Sequence, residues 1–269
     1  MGRLHCTLLQ ADLFWEDKEK NLRQWEQMLQ AKKPQELVIL PEMFNTGFSM
    51  RPEALAETME GETVQWMRSM ASRHRIILAG SLIIREGEKY YNRLIWMQPN
   101  GAFATYDKRH RFALAGEDQL FAAGEHRLIT QANGWRILWQ ICYDLRFPVW
   151  SRQQSLEQPE YDLLVYVANW PDKRSHAWRS LLVARAIENQ CYVIGVNRVG
   201  IDGNGMEHVG DSMVVDPLGQ VLVHLTGTSG METIVLEKEK LEDIRSRLPF
   251  WKDADDFSII QSISKHGGQ

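Results

Sequence analysis

The sequence has few cysteines, no strong excess of charge and no regular metal-ligand spacing. Its 269 residues include three cysteines without a Cys-x-x-Cys pair, and the formal net charge is −4. An odd, small number of thiols argues against a disulfide framework and against a zinc knuckle. Histidines and cysteines show no ligand spacing, so we expect no metal and no cofactor. A chain with this charge has little attraction for phosphate backbones, which excludes nucleic acid as an expected partner.

Long apolar segments are also missing. No stretch approaches 18 uninterrupted apolar residues, and the amino terminus enters a strand-like segment at 3–10 without a signal-peptide core. We therefore expect no membrane association and a cytoplasmic location. Nothing marks a linker, and the length suits one large α/β domain, so residues 1–269 are interpreted as a single domain.

Short apolar strands alternate with amphipathic helices along the whole chain. The pattern predicts helices at 17–30, 61–73, 149–156, 175–190 and 238–248, and strands at 4–9, 36–41, 76–84, 90–97, 102–106, 135–141, 162–168, 192–197, 212–216, 220–225 and 232–236. Residues 108–126 lack a period and are predicted to form a long, ordered connection. The glycine-rich segment 200–205 is followed by an extended segment and no helix, so we interpret it as turns and not as a phosphate loop. Many strands with helices between them indicate two sheets covered by helices.

Cys142 is the first candidate for chemistry, because it follows an apolar strand and opens a polar turn. The carboxyl ends of strands in α/β sheets are where loops converge and reacting groups lie. Two further strand exits deliver Glu42 and Lys108. A thiol, a carboxylate and an ammonium can attack an amide, move its proton and stabilise its oxyanion. We expect Cys142 to be a partly exposed nucleophile, with the backbone N–H of Tyr143 as a second oxyanion donor.

Each of these residues also has a plain structural interpretation. A free cysteine such as Cys142 usually packs as a small hydrophobe, as we expect for Cys6 and Cys191. Glu42 could cap a turn, and Lys108 could belong to the solvated basic run 108–111. The surrounding sequence decides between these interpretations.

Three segments carry that decision: Pro41-Glu-Met-Phe-Asn-Thr-Gly-Phe48, Tyr106-Asp-Lys-Arg-His110 and Cys142-Tyr-Asp-Leu-Arg-Phe-Pro148. In this order and at these distances they resemble the catalytic segments of the nitrilase superfamily of carbon–nitrogen hydrolases. Later segments, including Tyr166-Val-Ala-Asn-Trp-Pro171 and Ala184-Arg-Ala-Ile-Glu-Asn-Gln190, are similar to landmarks of the same family. The resemblance implies a four-layer α-β-β-α sandwich. The sequence of these segments is most similar to that of the omega-amidase branch, which hydrolyses the terminal amide of 2-oxo acids such as 2-oxoglutaramate and 2-oxosuccinamate.

The resemblance adds further expectations. It implies that Glu117 is a second active-site glutamate that orients Lys108, although the residues alone favour a surface acid. It also implies a homodimer, with the tail from about residue 249 packing on the partner. The aromatic residues Phe44, Tyr143 and Trp170 adjoin the motifs and either wall a small pocket or pack in the core. Arg146 either binds a substrate carboxylate or pairs with Asp144.

Other functions remain open at this point. A different amidase or an N-carbamoyl hydrolase of the same family would use the same three residues. A Cys–His hydrolase would need a histidine such as His110 or His176, and neither has a recognisable acidic partner nearby. A non-catalytic binding protein would have lost the chemistry, yet all three catalytic residue types are present.

Overall fold

The structure, a computed structural model, describes residues 2–30, 35–155 and 157–259 and contains two β-sheets between layers of helices. The strands in the described chain are β1 Arg3–Gln10, β2 Leu37–Ile39, β3 Ile77–Glu86, β4 Lys89–Met97, β5 Phe103–Asp107, β6 Leu128–Ala132, β7 Trp135–Ile141, β8 Leu163–Val167, β9 Tyr192–Val196, β10 Val199–Ile201, β11 Glu207–Val215, β12 Val221–Thr226 and β13 Gly230–Glu237. The α-helices are α1 Lys18–Leu29, α2 Pro52–Leu55, α3 Glu62–His74, α4 Glu117–Leu120, α5 Pro148–Ser151, α6 Ser175–Asn189 and α7 Lys238–Arg247.

Both sheets are mixed. The first has the order β13-β1-β2-β3-β4-β5, and the second has the order β10-β11-β9-β8-β7-β6 with β12 paired to β11. Parallel pairing joins β1, β2 and β3 in the first sheet and β7, β8 and β9 in the second. The parallel strands lie in the middle of each sheet, where both faces are covered and continuous apolar runs are expected.

The main core lies between the two sheets. Inward side chains of β1 and β3, such as Leu8 and Ala79, pack in one cluster with Trp139 and Val165 from β7 and β8. Removing each large apolar side chain from water contributes roughly 1.5–3 kcal/mol. The two sheets are therefore held face to face. The carboxyl ends of β2 and β5 in the first sheet and of β7 in the second lie on the same side of the sandwich.

Helices cover the outer faces of the sheets. Trp25 of α1 and Met67 of α3 pack with Leu78 on the outside of the first sheet. Helix α1 begins where the Asp17 side chain accepts a hydrogen bond from the backbone N–H of Lys20 at 3.1 Å, which satisfies an N–H that has no helical acceptor. Trp178 of α6 packs with buried side chains of the second sheet, such as Ile194 of β9. The predicted α-β-β-α sandwich is confirmed.

The element pattern agrees with the sequence analysis except at short or exposed segments. Strands β6 and β10 and helices α2 and α4 were not predicted. Strand β6 is an edge strand that alternates exposed and buried residues, and the other three elements span only three or four residues each. The predicted helix at 149–156 forms only as Pro148–Ser151, and Leu156 lies outside the described residues. In the described chain, no helix is long and apolar enough to cross a membrane.

Candidate active site

The three candidate residues come from strand ends of both sheets. Glu42 follows β2 and Lys108 follows β5 in the first sheet, while Cys142 follows β7 in the second. Because the sheets pack face to face, these ends converge: the Nζ of Lys108 lies 2.8 Å from Oε1 of Glu42. The backbone of Asn169 joins Glu42 to Cys142, because its N–H donates to Oε2 of Glu42 at 2.8 Å and its carbonyl accepts from the Cys142 thiol at 4.0 Å. The expected convergence of the strand exits is therefore present.

Cys142 occupies a constrained turn. It begins the 3₁₀ segment Cys142–Arg146 with a φ of 43°, a left-handed conformation that costs a side-chain-bearing residue energy and tends to occur at functional sites. Asp144 stabilises the turn by accepting the backbone N–H of Ile141 at 3.0 Å. The same carboxylate accepts the Tyr106 hydroxyl at 2.7 Å and the backbone N–H of His110 at 2.9 Å. Asp144 thus ties the Cys142 turn to the segment that carries Lys108.

Lys108 lies between two carboxylates inside the protein. Its Nζ is 2.8 Å from Oε1 of Glu42 and 3.0 and 2.9 Å from the two oxygens of Glu117. The exposed fraction of all three side chains is 1% or less. Glu117 also accepts the backbone N–H of Phe112 at 2.6 Å, which closes the loop that carries it. The surface position that the residues alone suggested for Glu117 is wrong, because the loop folds inward over Lys108.

Two asparagines complete the hydrogen bonding of Glu42, and the sequence analysis assigned neither. Asn92 donates from Nδ2 to Glu42 at 2.8 Å and to Glu117 at 3.3 Å. Asn169 donates its backbone N–H to Oε2 of Glu42 at 2.8 Å and its side-chain amide to the Glu42 carbonyl. Buried carboxylates need such donors to offset the loss of water. The position of Glu42 is fixed from both sheets.

The charges in the site act on one another. Burial opposes the charge of Lys108, but the carboxylates of Glu117 and Glu42 outweigh it, so the pKa of Lys108 is raised. Burial also raises the pKa of Glu117, with Lys108 opposing and Glu42 adding to the shift. Burial and then the negative charge of Glu42 raise the pKa of the Cys142 thiol well above its usual range, with Lys108 opposing. The resting thiol is therefore protonated and needs a base before it can attack.

Cys142 and Lys108 line a cavity of about 510 Å³. Its walls include the aromatic residues Tyr143 and Trp170, as predicted, together with Phe48 and Phe112, which were not predicted. The Phe112 and Tyr143 rings meet edge to face with centroids 5.0 Å apart. A space of this size suits a small substrate.

Phe44 does not belong to this cavity, and its predicted place in the pocket wall is corrected. Its side chain is fully buried in the cluster between the first sheet and α1 and α3. A Cβ on Gly80 would approach the Phe44 ring to 2.7 Å, so the ring fills the space that this glycine leaves. The plain interpretation, core packing, holds for Phe44.

Arg146 lines the same cavity and is not paired with Asp144. The oxygens of Asp144 accept from Tyr106, His110 and the backbone of Ile141. The guanidinium of Arg146 instead lies 4.8 Å from the centroid of the Trp170 ring. Its charge is therefore available to an anion in the cavity.

The histidines that the structure describes do not provide a Cys–His pair. His110 does have an acidic partner, contrary to expectation: its Nδ1 lies 2.8 Å from Asp144, and its ring stacks on Phe147. His176 is exposed. His208 lines the cavity, and burial, with Arg198 adding to it, lowers its pKa to about 4, so it is neutral at neutral pH. Within residues 2–30, 35–155 and 157–259, no hydrogen bond joins a histidine to Cys142 and no cluster of three ligand-type side chains could hold a metal ion.

Comparison with known proteins agrees with this fold. The family model described as carbon-nitrogen hydrolase matches residues 6–246. The chain is 43% identical to the omega-amidase YafV of Yersinia enterocolitica, over 97% of this chain and 100% of the relative. It is 30% identical to the 2-oxoglutaramate amidase of Bacillus subtilis, over 92% and 96% of the two chains.

A solved structure gives the same result. The chain superposes on XC1258 of Xanthomonas campestris, a CN-hydrolase superfamily protein with an arsenic adduct in the active site, with a TM-score of 0.93. The identity is 42%, and the match covers 96% of this chain and 100% of that one. The chain belongs to the carbon-nitrogen hydrolase family, and it is a hydrolase acting on carbon–nitrogen bonds.

Proposed function

We propose that this protein is an omega-amidase, which hydrolyses the terminal amide of short 2-oxo acid monoamides such as 2-oxoglutaramate and 2-oxosuccinamate to the acid and ammonia. The observation that carries the proposal is one cavity lined by both Cys142 and Arg146, whose guanidinium has no carboxylate partner among the residues that the structure describes. The thiol suits an amide carbonyl, and the guanidinium suits a carboxylate at the other end of a small molecule. The similarity to an omega-amidase and a 2-oxoglutaramate amidase over nearly the whole chain supports it.

The first half of the reaction forms a thioester. The Cys142 sulfur bonds to the amide carbon while Glu42 takes the thiol proton, and the carbonyl π electrons move to the oxygen. Glu42 then returns the proton to the nitrogen, the C–N bond breaks and ammonia leaves. The Cys142 thiol and the Glu42 carboxylate both contact the backbone of Asn169, which keeps the thiol close to its base.

Lys108 and the backbone N–H of Tyr143 stabilise the oxyanion that forms in this step. The N–H of Tyr143 lies in the first turn of the 3₁₀ segment and has no acceptor within that turn. Removal of one such donor typically costs about 2.7–4 kcal/mol of transition-state stabilisation. Glu117 accepts hydrogen bonds from Lys108 with both of its oxygens, which fixes the position of the ammonium group.

The second half of the reaction reverses these roles. Water attacks the thioester carbon, and Glu42 takes one water proton and returns it to the sulfur as the C–S bond breaks. The same oxyanion donors act again. One carboxylate thus serves both halves, which explains why three separate donors hold Glu42 in place.

We expect a strong preference for substrates with a carboxylate. The value of kcat/KM for 2-oxosuccinamate should exceed that for butyramide, a neutral amide of equal length, by at least about a thousandfold, because a neutral substrate leaves the half-buried Arg146 without an acceptor. Ammonia release from the two amides measures the ratio. A ratio near one, or faster hydrolysis of a nitrile or an N-carbamoyl amino acid, would assign another activity of the same family.

We also propose a homodimer in which α5, α6 and the tail from about residue 249 contact the partner. Val149 of α5, Ile187 of α6 and Phe250 of the tail are 53%, 52% and 61% exposed. Large apolar side chains on neighbouring surfaces favour burial in an interface. Sedimentation velocity should give twice the mass of one chain, and V149D together with I187D should give the mass of one chain. The control F103D, on β5 of the other sheet, should remain dimeric, and a single-chain mass for the unaltered protein contradicts the proposal.

A further inference from the structure

A second guanidinium lines the cavity beside that of Arg146. Arg174 ends the 3₁₀ segment Asp172–Arg174 just before α6, and its side chain faces the same space as Cys142. Its guanidinium carbon lies 5.2 Å from the centroid of the Phe112 ring. The guanidinium groups of Arg146 and Arg174 thus both lie over aromatic rings of the cavity wall.

Neither guanidinium has a carboxylate partner in the part of the chain that the structure describes. The acid among the lining residues is Asp202, whose Oδ1 accepts the backbone N–H groups of Asn204 and Met206 at 2.8 and 2.9 Å in the turn between β10 and β11. Burial lowers the pKa of Arg174, and the charge of Arg146 adds to that shift while Cys142 opposes it. The two cations therefore repel each other within the cavity, and both favour a ligand with electron-rich oxygens there.

The segment that carries Arg174 is held in place. The Trp170 indole donates to the carbonyl of Arg174 at 2.8 Å, and the backbone N–H of Arg174 donates to Pro171 at 3.0 Å. The next residue, Ser175, donates its hydroxyl to Asp211. A fixed backbone reduces the entropy lost when the side chain takes a ligand, which is the general advantage of a prearranged binding group.

We propose that Arg174 binds the 2-oxo oxygen of the substrate while Arg146 binds the adjacent carboxylate. This inference rests on the proposed omega-amidase function. One guanidinium satisfies a carboxylate with two parallel hydrogen bonds, so a second guanidinium in the same space needs an acceptor of its own. The oxygen on the carbon next to the carboxylate is that acceptor in a 2-oxo acid.

The same pair of charges excludes the corresponding amino acid amides. Glutamine and asparagine differ from the 2-oxo substrates by an ammonium group in place of the 2-oxo oxygen. That ammonium would meet the guanidinium of Arg174 where the oxo oxygen would accept a hydrogen bond, and like charges in a partly enclosed site repel. Arg174 would therefore allow hydrolysis of 2-oxoglutaramate in the presence of glutamine.

The test compares substrates that differ only at the 2-oxo group. Ammonia release is measured for 2-oxoglutaramate, glutaramate and glutamine with the unaltered enzyme, R174Q and R146Q. K173Q is the matched control, because Lys173 is the preceding residue, carries the same charge and is exposed. We expect R174Q to lower kcat/KM for 2-oxoglutaramate about tenfold to a hundredfold, mainly through KM, and to change glutaramate less than threefold. R146Q should lower both to a similar extent, and K173Q should change neither.

Glutamine gives an independent measure. R174Q should lower the ratio of kcat/KM for 2-oxoglutaramate to kcat/KM for glutamine by at least tenfold, because the repulsion of the ammonium is removed together with the hydrogen bond to the oxo oxygen. If R174Q lowers kcat/KM for 2-oxoglutaramate and for glutaramate equally, or changes neither value, the assignment of Arg174 is wrong while the omega-amidase function stands. If the unaltered enzyme hydrolyses butyramide as fast as the 2-oxo acid amides, the proposed function itself fails, and this inference with it.

Discussion

C142A should abolish ammonia release, lowering kcat by at least about 10⁴-fold, and should leave the fold intact. The thiol is the only group on the Cys142 side chain, and without it the remaining oxyanion donors can only assist a direct attack by water. The residue is 9% exposed and belongs to the main core, so the partly exposed position expected from the sequence is corrected to a buried one that touches the cavity. Loss of one sulfur atom should lower the free energy of unfolding by about 1 kcal/mol.

Turnover assays and thermal unfolding of the same samples separate the two effects. C191A is the matched control, because Cys191 is fully buried beside β9 and does not line the cavity. It should lower the melting temperature by as much as C142A or more, yet retain kcat. If C142A retains more than a few per cent of the activity, Cys142 is not the nucleophile.

The convergence of the site could be predicted because it depends on a general property of α/β folds. Glu42, Lys108 and Cys142 each follow a strand, and the carboxyl ends of strands that run in the same direction gather at one edge. Asn169 obeys the same rule, since it follows β8 next to the Cys142 strand, and it could have been found in this way. The distances between residues of the two sheets required the structure.

Asn92 could not have been found from the sequence. It lies within β4, and its side chain reaches Glu42 and Glu117 because β4 is paired with β5, where the backbone N–H of Lys108 donates to the Asn92 carbonyl at 3.0 Å. Strand register decides which face a residue takes, and no local pattern reports it. Arg174 was also missed, since an arginine in a charged turn is usually solvated. Phe44 was misassigned for the opposite reason, because it neighbours a motif residue but points into the core.

E42Q should lower kcat by about 10²–10⁴-fold, because an amide can neither accept the thiol proton nor return it to the leaving nitrogen. The substitution also disturbs hydrogen bonding. Both oxygens of Glu42 accept hydrogen bonds, from Lys108 and Asn92 on one side and from the backbone of Asn169 on the other. The amide nitrogen of a glutamine would face a donor on either side, so the melting temperature should fall as well.

The reactivity of the Cys142 thiol in E42Q distinguishes the loss of Glu42 as a base from a general disturbance of the site. After burial, the negative charge of Glu42 is the largest cause of the raised pKa of Cys142, so its removal should lower that pKa. Alkylation by iodoacetamide, followed from pH 6 to 10, should therefore show a lower apparent pKa in E42Q even though turnover is lost. Cys6 and Cys191 are fully buried, and burial raises the pKa of both, so the early alkylation reports Cys142.

E57Q is the control for E42Q, because Glu57 is also a buried, paired carboxylate, but its partners are Lys18, Asn45 and Thr63 and not Lys108. It should lower the melting temperature without changing kcat or the thiol pKa. An E42Q protein that retains turnover contradicts the role of Glu42 as base. One that loses turnover with an unchanged thiol pKa indicates that Glu42 acts on the structure of the site and not on the proton of Cys142.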